Sequence, residues 1–173
     1  STSATIGSTI RITATDYVAD TILWPKLTKF LRDYPDIKVE LTVEYGLTDI
    51  VAQRYDAGVR SGEQVARDMI AVRIGPDIRM AVVGAPSYFA KRSLPKKPQD
   101  LTNHKCINLR LATYGGLYAS EFERGGRELK VRVDGQLVFN RMPEMLTAAR
   151  AGFGLAYLMD DLVHADVAKG RLT

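Results

Sequence analysis

The sequence predicts an α/β fold in which mixed sheets are flanked by helices. In the first part of the chain, short strands rich in β-branched residues alternate with helices, an order typical of a parallel sheet with crossover helices. From residue 80 onward, hairpin signals and single helices between short strands indicate a second sheet of mixed direction. We therefore predict two lobes, the first at 1–79 and the second at 80–173.

Local patterns predict the elements of the first lobe. Alternating β-branched residues indicate a strand at 8–14, and alternating apolar and polar residues indicate another at 39–43. An apolar stripe at helical spacing predicts a helix at 19–34, in which Pro25 is tolerable only near the first turn or at a kink. A short helix is expected at 48–54 and further strands at 56–60 and 69–74.

In the second lobe, turn signals separate shorter elements. Strands are predicted at 78–84, 106–111 and 154–158, and a meander at 118–140 with a hairpin turn at Gly125-Gly126. One short helix is expected at 88–92, and a second short helical segment is expected to end near residue 103. Pro143 is a suitable first residue for a helix that ends at Gly152, and a last helix is predicted at 160–168.

Composition excludes several classes of protein. With 173 residues, 46% of them hydrophobic, the chain is long enough to bury a core. The net charge of +4 is scattered, whereas a nucleic-acid-binding surface would concentrate it on one face. The single cysteine rules out an internal disulfide and suits a reducing compartment. No apolar run reaches the length of a membrane span, and the first residue is not methionine, so we expect a fragment or processed product.

The segment around Arg60 is the strongest candidate for ligand binding. A short apolar strand ends in this cation, and Ser61-Gly62 follows as a turn. Ligands collect at strand ends in open α/β sheets, and a guanidinium group suits a carboxylate. The segment therefore predicts the wall of a small-anion pocket.

Five groups of residues resemble the inducer-binding domain of LysR-type transcriptional regulators. The first two lie at 21–37 and 49–62, where the chain reads TILWPKLTKF, then YPDI, then DIV and DAGVRSG. The next two are PSYFA at 86–90 and PQDLTNH at 98–104. The last comprises AGFGLA at 151–156 with GRL at 170–172. The motifs occur in the family's order, and the resemblance covers residues 8 to 172.

This resemblance implies a two-lobed, type 2 periplasmic-binding-protein-like fold with a small-molecule inducer in the cleft between the lobes. The arginines suggest an aromatic or small organic acid. Family members form dimers and tetramers in the bacterial cytoplasm and contact promoter DNA through an N-terminal winged helix-turn-helix that this chain lacks. The closing strand and helix that family members carry beyond the second lobe are also missing here, and no membrane partner or cofactor is expected.

The resemblance also proposes site residues. The ligand-binding candidates are Thr15, Asp16, Tyr17, Thr48, Arg60, Ser61, Gly62, Arg110, Asn140, Arg141 and Met142, with Tyr114 at the rim. Thr15, Asp16 and Thr48 have helix capping as an alternative role, and Arg60 could instead be solvated or paired with an acid. Trp24 and Phe30 are candidates for a dimer interface, although Trp24 could also lie in the core.

Catalysis is not expected. The two histidines, His104 and His164, have no nucleophile motif beside them, and Gly152-Phe153-Gly154 lacks the third glycine of a dinucleotide fingerprint. Neighbouring carboxylates on a helix point apart, so Asp160-Asp161 does not indicate a metal site. The main alternative is a free-standing periplasmic-type solute-binding protein of a transporter. The second alternative is an enzyme built from two such lobes.

Overall fold

The computed structural model describes residues 8–46, 49–61, 69–111 and 116–173. The chain divides into two compact units, Ser1–Pro76 and Asp77–Thr173. Each unit has its own sheet and its own apolar core.

The first unit contains a parallel three-stranded sheet in the order β2-β1-β3. Its strands are β1 (Thr9–Ala14), β2 (Lys38–Val43) and β3 (Ala57–Val59). Strand β1 lies in the centre, and its last three residues are buried. The strands predicted at 8–14, 39–43 and 56–60 and their parallel arrangement are confirmed.

One helical run connects β1 to β2. It consists of α1 (Asp16–Val18), a π-helical segment (Ala19–Leu23) and α2 (Trp24–Asp33). Pro25 has no N–H to donate to the preceding turn, and the run widens into the π-helical segment just before it. The helix thus begins three residues earlier than predicted. Its buried contribution to the core comes from Val18, Ala19 and Leu23.

Two predictions for the first unit are wrong. Residues 50–54 form hydrogen-bonded turns instead of a helix, and Asp49 initiates them by accepting hydrogen bonds from the N–H groups of Val51 (3.1 Å) and Ala52 (2.9 Å). Residues 69–74 form no strand, although their apolar alternation suited one. Ile70 is 95% exposed and Val72 is 75% exposed. The described residues therefore offer these apolar side chains nothing to pack against, and the alternating pattern does not produce a strand.

The second unit contains a mixed four-stranded sheet in the order β4-β9-β5-β8. The strands are β4 (Met80–Val83), β5 (Cys106–Leu109), β8 (Val138–Phe139) and β9 (Leu155–Met159). Strand β4 runs antiparallel to β9, whereas β5 is parallel to both β8 and β9. The predicted mixed sheet is confirmed.

A separate hairpin joins β6 (Ser120–Arg124) to β7 (Arg127–Val131). Gly125 and Gly126 both have positive φ, 59° and 74°, which is the backbone of a type I′ turn and explains why glycines occupy it. The hairpin packs through Phe122, Leu129 and Val131 onto a core cluster that includes Tyr88 and Leu155.

Helices cover the second sheet. They are α3 (Pro86–Phe89), a 3-10 helix (Pro98–Asn103), α4 (Met142–Arg150) and α5 (Asp160–Ala168). Met145, Leu146 and Ala149 of α4 pack into the main core, with Val163 of α5. At the end of the chain, Leu172 is buried, and Thr173 exchanges backbone hydrogen bonds of 2.9 and 3.0 Å with Gly84.

Candidate functional site

In the first unit, three parallel strands end at the same edge of the sheet. Ala14 is paired with Val43 of β2 and with Val59 of β3. The residues that directly follow these strands therefore lie together at that edge. We call Thr15, Asp16, Tyr17, Glu44, Arg60 and Ser61 the first strand-end set. Five of the predicted site residues belong to it, and Glu44 is the addition.

Arg60 links the ends of these strands. Its Nη2 donates to the Thr13 hydroxyl at 2.9 Å and to the Gly46 carbonyl at 3.4 Å, while its Nη1 donates to the Val59 carbonyl at 2.9 Å. The guanidinium group thereby joins β1, β3 and the segment after β2. Because Arg60 makes these hydrogen bonds, its side chain is not fully solvated. All three acceptors are neutral, and no hydrogen bond joins Arg60 to a carboxylate within the part of the chain that the structure describes.

The charge of Arg60 is partly desolvated. The side chain is half-buried, and burial lowers its pKa from the ordinary value, while Glu44 opposes the shift through a longer-range interaction. An arginine remains protonated at physiological pH even with such a shift. The guanidinium group of Arg60 therefore keeps a positive charge that its hydrogen-bonding partners do not neutralise, and Glu44 of the same strand-end set interacts with it at longer range.

The start of the helical run contributes Thr15, Asp16 and Tyr17. Thr15 is the N-cap residue, but its side chain makes no capping hydrogen bond, so the capping alternative for its hydroxyl is wrong. Oδ1 of Asp16 accepts a hydrogen bond from the N–H of Tyr17 at 2.6 Å. That contact satisfies one backbone donor of the first turn and also places a carboxylate near the positive end of the helix.

In the second unit, β5 and β8 are parallel and end together. The N–H of Arg110, directly after β5, donates to the carbonyl of Phe139 at 2.7 Å. Asn140, Arg141 and Met142 follow β8 and lead into α4. Arg110, Asn140, Arg141 and Met142 form the second strand-end set, in which all but Met142 are exposed. Nη1 of Arg141 lies 3.7 Å from a carboxylate oxygen of Glu144.

Three predicted ligand or rim residues, Thr48, Gly62 and Tyr114, lie outside the described residues. The two predicted interface residues both belong to α2. Trp24 is 57% exposed, so its alternative assignment to the core of this chain is wrong. Phe30 is partly buried and has its ring 4.9 Å from that of Tyr34.

Thr13 was not among the predicted site residues, although its side chain is fully buried and accepts a hydrogen bond from Arg60. A signal was available in the sequence. A central strand of a parallel sheet is covered on both faces, so a polar residue near its end needs a hydrogen-bond partner. Asn108, a buried polar residue on β5 of the second unit, was missed in the same way.

The described residues contain no group of three or more metal-ligating side chains. The Tyr88 hydroxyl accepts a hydrogen bond from the N–H of Lys105 at 3.0 Å and lies 3.1 Å from Nδ1 of His104, an arrangement that joins α3 to the start of β5. Burial raises the pKa of Cys106 to about 11, so its sulfur is protonated at neutral pH and is a poor nucleophile. None of the helices in the described ranges is both long and apolar enough to span a bilayer.

The family model for the LysR substrate binding domain matches residues 3–173. A putative transcriptional regulator of Pseudomonas aeruginosa is 52% identical over 164 residues, which are 95% of this chain and 54% of that protein. The HTH-type transcriptional regulator PgrR of Escherichia coli is 48% identical over 164 residues, 95% of this chain and 55% of that protein. This chain therefore spans about half the length of these curated relatives.

Solved structures have the same fold. The regulatory domain of AphB from Vibrio vulnificus superposes with a TM-score of 0.77 at 23% identity, covering 96% of this chain and 82% of that one. The regulatory domain of CrgA from Neisseria meningitidis gives a TM-score of 0.71 at 23% identity, with 96% and 79% covered. The family match and these structures together show that this chain is a LysR substrate-binding domain with a type 2 periplasmic-binding-protein-like fold.

Proposed function

We propose that this chain is the effector-sensing region of a bacterial DNA-binding transcription regulator and that its effector is a small organic acid. The effector contacts the first strand-end set through its carboxylate. The chain performs no catalysis and acts in the cytoplasm. Its relatives in Pseudomonas aeruginosa and Escherichia coli carry the names of transcriptional regulators, which supports the regulatory part of the proposal.

The observation that carries the choice of ligand is the environment of Arg60. A half-buried guanidinium group with only neutral hydrogen-bond acceptors keeps its positive charge available to an anion. A carboxylate arriving there meets a partly desolvated cation at the carboxyl ends of parallel strands, the usual ligand position in open α/β sheets.

The neighbouring acids limit which anions fit. Asp16 and Glu44 belong to the same strand-end set, and both repel a second negative charge placed beside them. A monocarboxylate with an uncharged body is therefore favoured over a dicarboxylate or a phosphate. Tyr17, which is partly buried, offers an aromatic surface for such a body.

Signal transmission follows as a population shift. An effector that binds one conformation of the domain more tightly than another increases the population of that conformation. The size of the increase is set by the ratio of the two affinities. In a dimer or tetramer of the full-length regulator, the altered domain geometry changes the spacing of the DNA-binding heads and therefore the affinity for the promoter.

Thermal unfolding of the 173-residue chain with a panel of acids tests this proposal. Each acid, such as benzoate, is paired with its neutral amide, such as benzamide. An acid present at a hundredfold excess over its Kd stabilises the folded state by about 2.7 kcal/mol, which raises the melting temperature by about 5 °C or more. The amide is expected to give a shift at least threefold smaller.

Variants of Arg60 separate charge from geometry. Arg60→Lys keeps a cation but loses the planar group that joins the strands. We therefore expect the affinity for the acid to fall at least tenfold. The affinity is obtained from the acid-induced shift relative to the variant's own melting temperature. Arg32→Ala, at an exposed position of α2, is the matched control and keeps the wild-type response. Equal acid responses in wild type and Arg60→Lys would remove Arg60 from the site, and equal responses to acids and amides would reject the acid class.

A further inference from the structure

Three segments that are distant in the sequence meet at one end of the second unit. Strand β4 ends where β9 begins, since Val83 is paired with Ala156, and β9 begins beside the first residue of β5. The second strand-end set follows the far ends of β5 and β8, so it lies at the opposite edge of this sheet. The segments at the near edge are 84–105, 150–154 and 166–173, and we call them together the basic end.

Backbone hydrogen bonds hold these segments side by side. The carbonyl of Lys105, the residue before β5, accepts a hydrogen bond from the N–H of Leu155 at 2.9 Å, which places the turn before β9 next to the first segment. Thr173 exchanges backbone hydrogen bonds with Gly84, which brings the last residues of the chain to the start of that segment. Cations that are scattered along the sequence therefore share one side of the unit.

The first segment carries five exposed cations near the buried ring of Tyr88. The guanidinium carbon of Arg92 lies 4.6 Å from the centre of that ring, and the Tyr88 hydroxyl contacts the N–H of Lys105. A cation–π contact occupies the face of a guanidinium group and leaves the N–H groups at its rim available. The five cations are Lys91, Arg92, Lys96, Lys97 and Lys105, and none of them forms an ion pair with a described residue.

The other two segments add three exposed cations. Arg150 and Arg171 both donate hydrogen bonds to the buried carboxylate of Asp166, while their own side chains are 43% and 48% exposed. One carboxylate offsets one of the two guanidinium charges, so the pair keeps a net positive charge. Lys169 is exposed in the turn after α5.

Few acids oppose these charges. Asp100 and Asp166 are the only acids within the three segments, and Asp134 lies beside the start of β5. The Asp100 carboxylate accepts hydrogen bonds from the backbone N–H groups of Lys96 and Lys97 at 2.9 and 3.1 Å, and Oδ1 of Asp134 accepts one from the next backbone N–H at 2.9 Å. The basic end is therefore strongly positive, although the net charge of the chain is only +4.

Two exposed apolar side chains belong to the same surface. Leu94 is 54% exposed and lies between the cations of the first segment, and Phe153 is 52% exposed. The glycine before Phe153 packs against Ser87, and the glycine after it packs against the Lys105 carbonyl, so closely that a side chain at either glycine would collide. Phe153 is thereby fixed between α3 and the start of β5.

From these features we infer that the basic end binds an acidic segment of another protein, in which apolar residues alternate with aspartates and glutamates. The carboxylates of that segment pair with the exposed cations, and its apolar side chains cover Leu94 and Phe153. A nucleic-acid backbone carries the same sign of charge but brings no apolar surface to these two residues, which favours a protein partner. This surface goes beyond the proposed effector site and is independent of it.

Fluorescence anisotropy with labelled probes and the 173-residue chain tests the inference. The first probe is the peptide EDLEDFEDLE, and the second, EDSEDSEDSE, has the same charge but no apolar residue. The third is a DNA duplex of about 10 base pairs. At about 150 mM salt we expect saturable binding of the first peptide, at least fivefold tighter than that of either other probe. Doubling the salt concentration weakens this binding, because exposed ion pairs are screened.

Paired charge reversals locate the site. Lys96→Glu combined with Lys97→Glu is expected to weaken binding of the first peptide at least tenfold. Lys26→Glu combined with Lys29→Glu is the matched control, because it changes the net charge equally at exposed positions of α2, and binding stays within twofold. Phe153→Ser is expected to weaken the first peptide about fivefold and to leave the second unchanged. The melting temperature of each variant confirms that it is folded.

Four results would overturn the inference. They are the absence of saturable binding of the first peptide, equal losses in the two paired variants, equal binding of the two peptides, and tighter binding of the duplex than of the first peptide. The last result would identify the basic end as a nucleic-acid surface instead.

Arg60→Lys separates this inference from the proposed function. The substitution weakens the response to small acids and is expected to leave binding of the first peptide within twofold of wild type. If peptide binding is lost in Arg60→Lys, the peptide occupies the acid site, and the inference fails while the proposed function stands.

Discussion

At the scale of single residues, Asp166 shows how buried charge stabilises the second unit. Its side chain is 1% exposed and accepts hydrogen bonds from Nε of Arg150 at 2.9 Å and from Nε of Arg171. The two guanidinium groups hold the pKa of this carboxyl below its usual range. The cluster fixes the end of α4 and the turn after α5 to one buried acid.

We expect Asp166→Asn to lower the free energy of unfolding by about 2 kcal/mol at pH 7, because it leaves two arginines facing a neutral amide. The folded pKa of Asp166 lies below its unfolded value of about 3.9. Its stabilisation is therefore complete above the unfolded pKa and is lost as pH falls through the folded pKa. Urea unfolding at several pH values measures the difference between wild type and variant, which should disappear near the lowest pH.

Asp160→Asn is the control for this prediction, since Asp160 is an exposed acid on the same helix. A difference in stability between wild type and Asp166→Asn that stays constant from pH 7 down to about pH 2 would contradict the assigned role.

The sequence predicted the position of Arg60 correctly, but it did not predict its partners. A cation after a short strand is visible in the sequence, and parallel strands bring it to an edge with Thr15 and Asp16. The hydrogen bond to Thr13 spans 47 residues, and local patterns carry no information about which polar groups meet across such a distance. The same limit applies to Asn108 and Val133, which are 25 residues apart.

At the scale of elements, α2 has an apolar face that its own unit buries only in part. No residue of α2 is fully buried, and its one tryptophan is among the exposed apolar residues. The spacing of the apolar stripe predicted the helix, because helical periodicity is local. It did not predict that the fully buried residues of the helical run all lie in α1 and the π-helical segment, while Leu27 of α2 packs only partly buried against the core.

We propose that Trp24 and Phe30 form part of a dimer interface, and Trp24→Glu tests this. A charge at the centre of an apolar interface is expected to weaken self-association at least tenfold, while an exposed position tolerates it with little loss of stability. Sedimentation equilibrium measures the association. Since Trp24 is the single tryptophan, a concentration-dependent blue shift of its fluorescence provides an independent signal.

Leu94→Glu is the matched control, because Leu94 is an apolar residue of the second unit with 54% exposure. If Trp24→Glu and Leu94→Glu associate equally well, α2 is not the interface.

At the scale of the whole molecule, the two units differ in how far sequence patterns could describe them. In the first unit, the predicted alternation of strands and helices led to the correct parallel sheet, although the described residues between β2 and β3 form turns instead of the second helix. The second unit places β9 between β4 and β5, an order that joins strands distant in sequence. Short strands such as Val138–Phe139 have too few residues for a periodic signal, so their neighbours could not be predicted.

We expect the isolated chain to have at most weak affinity for DNA and no sequence preference. Its net charge of +4 is distributed over the sequence, and it covers about half of its curated relatives' length. Electrophoretic mobility shifts with the promoter of the full-length regulator's own gene and with a scrambled fragment of the same length should give equal affinities that fall with salt. A preference for the promoter of tenfold or more would show that this part of the protein reads sequence itself.

The contacts of Arg60 have a consequence for the protein in the cell. Thr13, Gly46 and Val59 come together only when β1, β2 and β3 are all in register, so no partly folded chain holds the Arg60 guanidinium group in this position. A metabolite that binds this group therefore holds the chain in its native state and protects it from degradation by mass action. The cellular abundance of the regulator would then rise with the concentration of its effector. Variants destabilised by substitutions outside the site would need the effector to remain folded and avoid degradation.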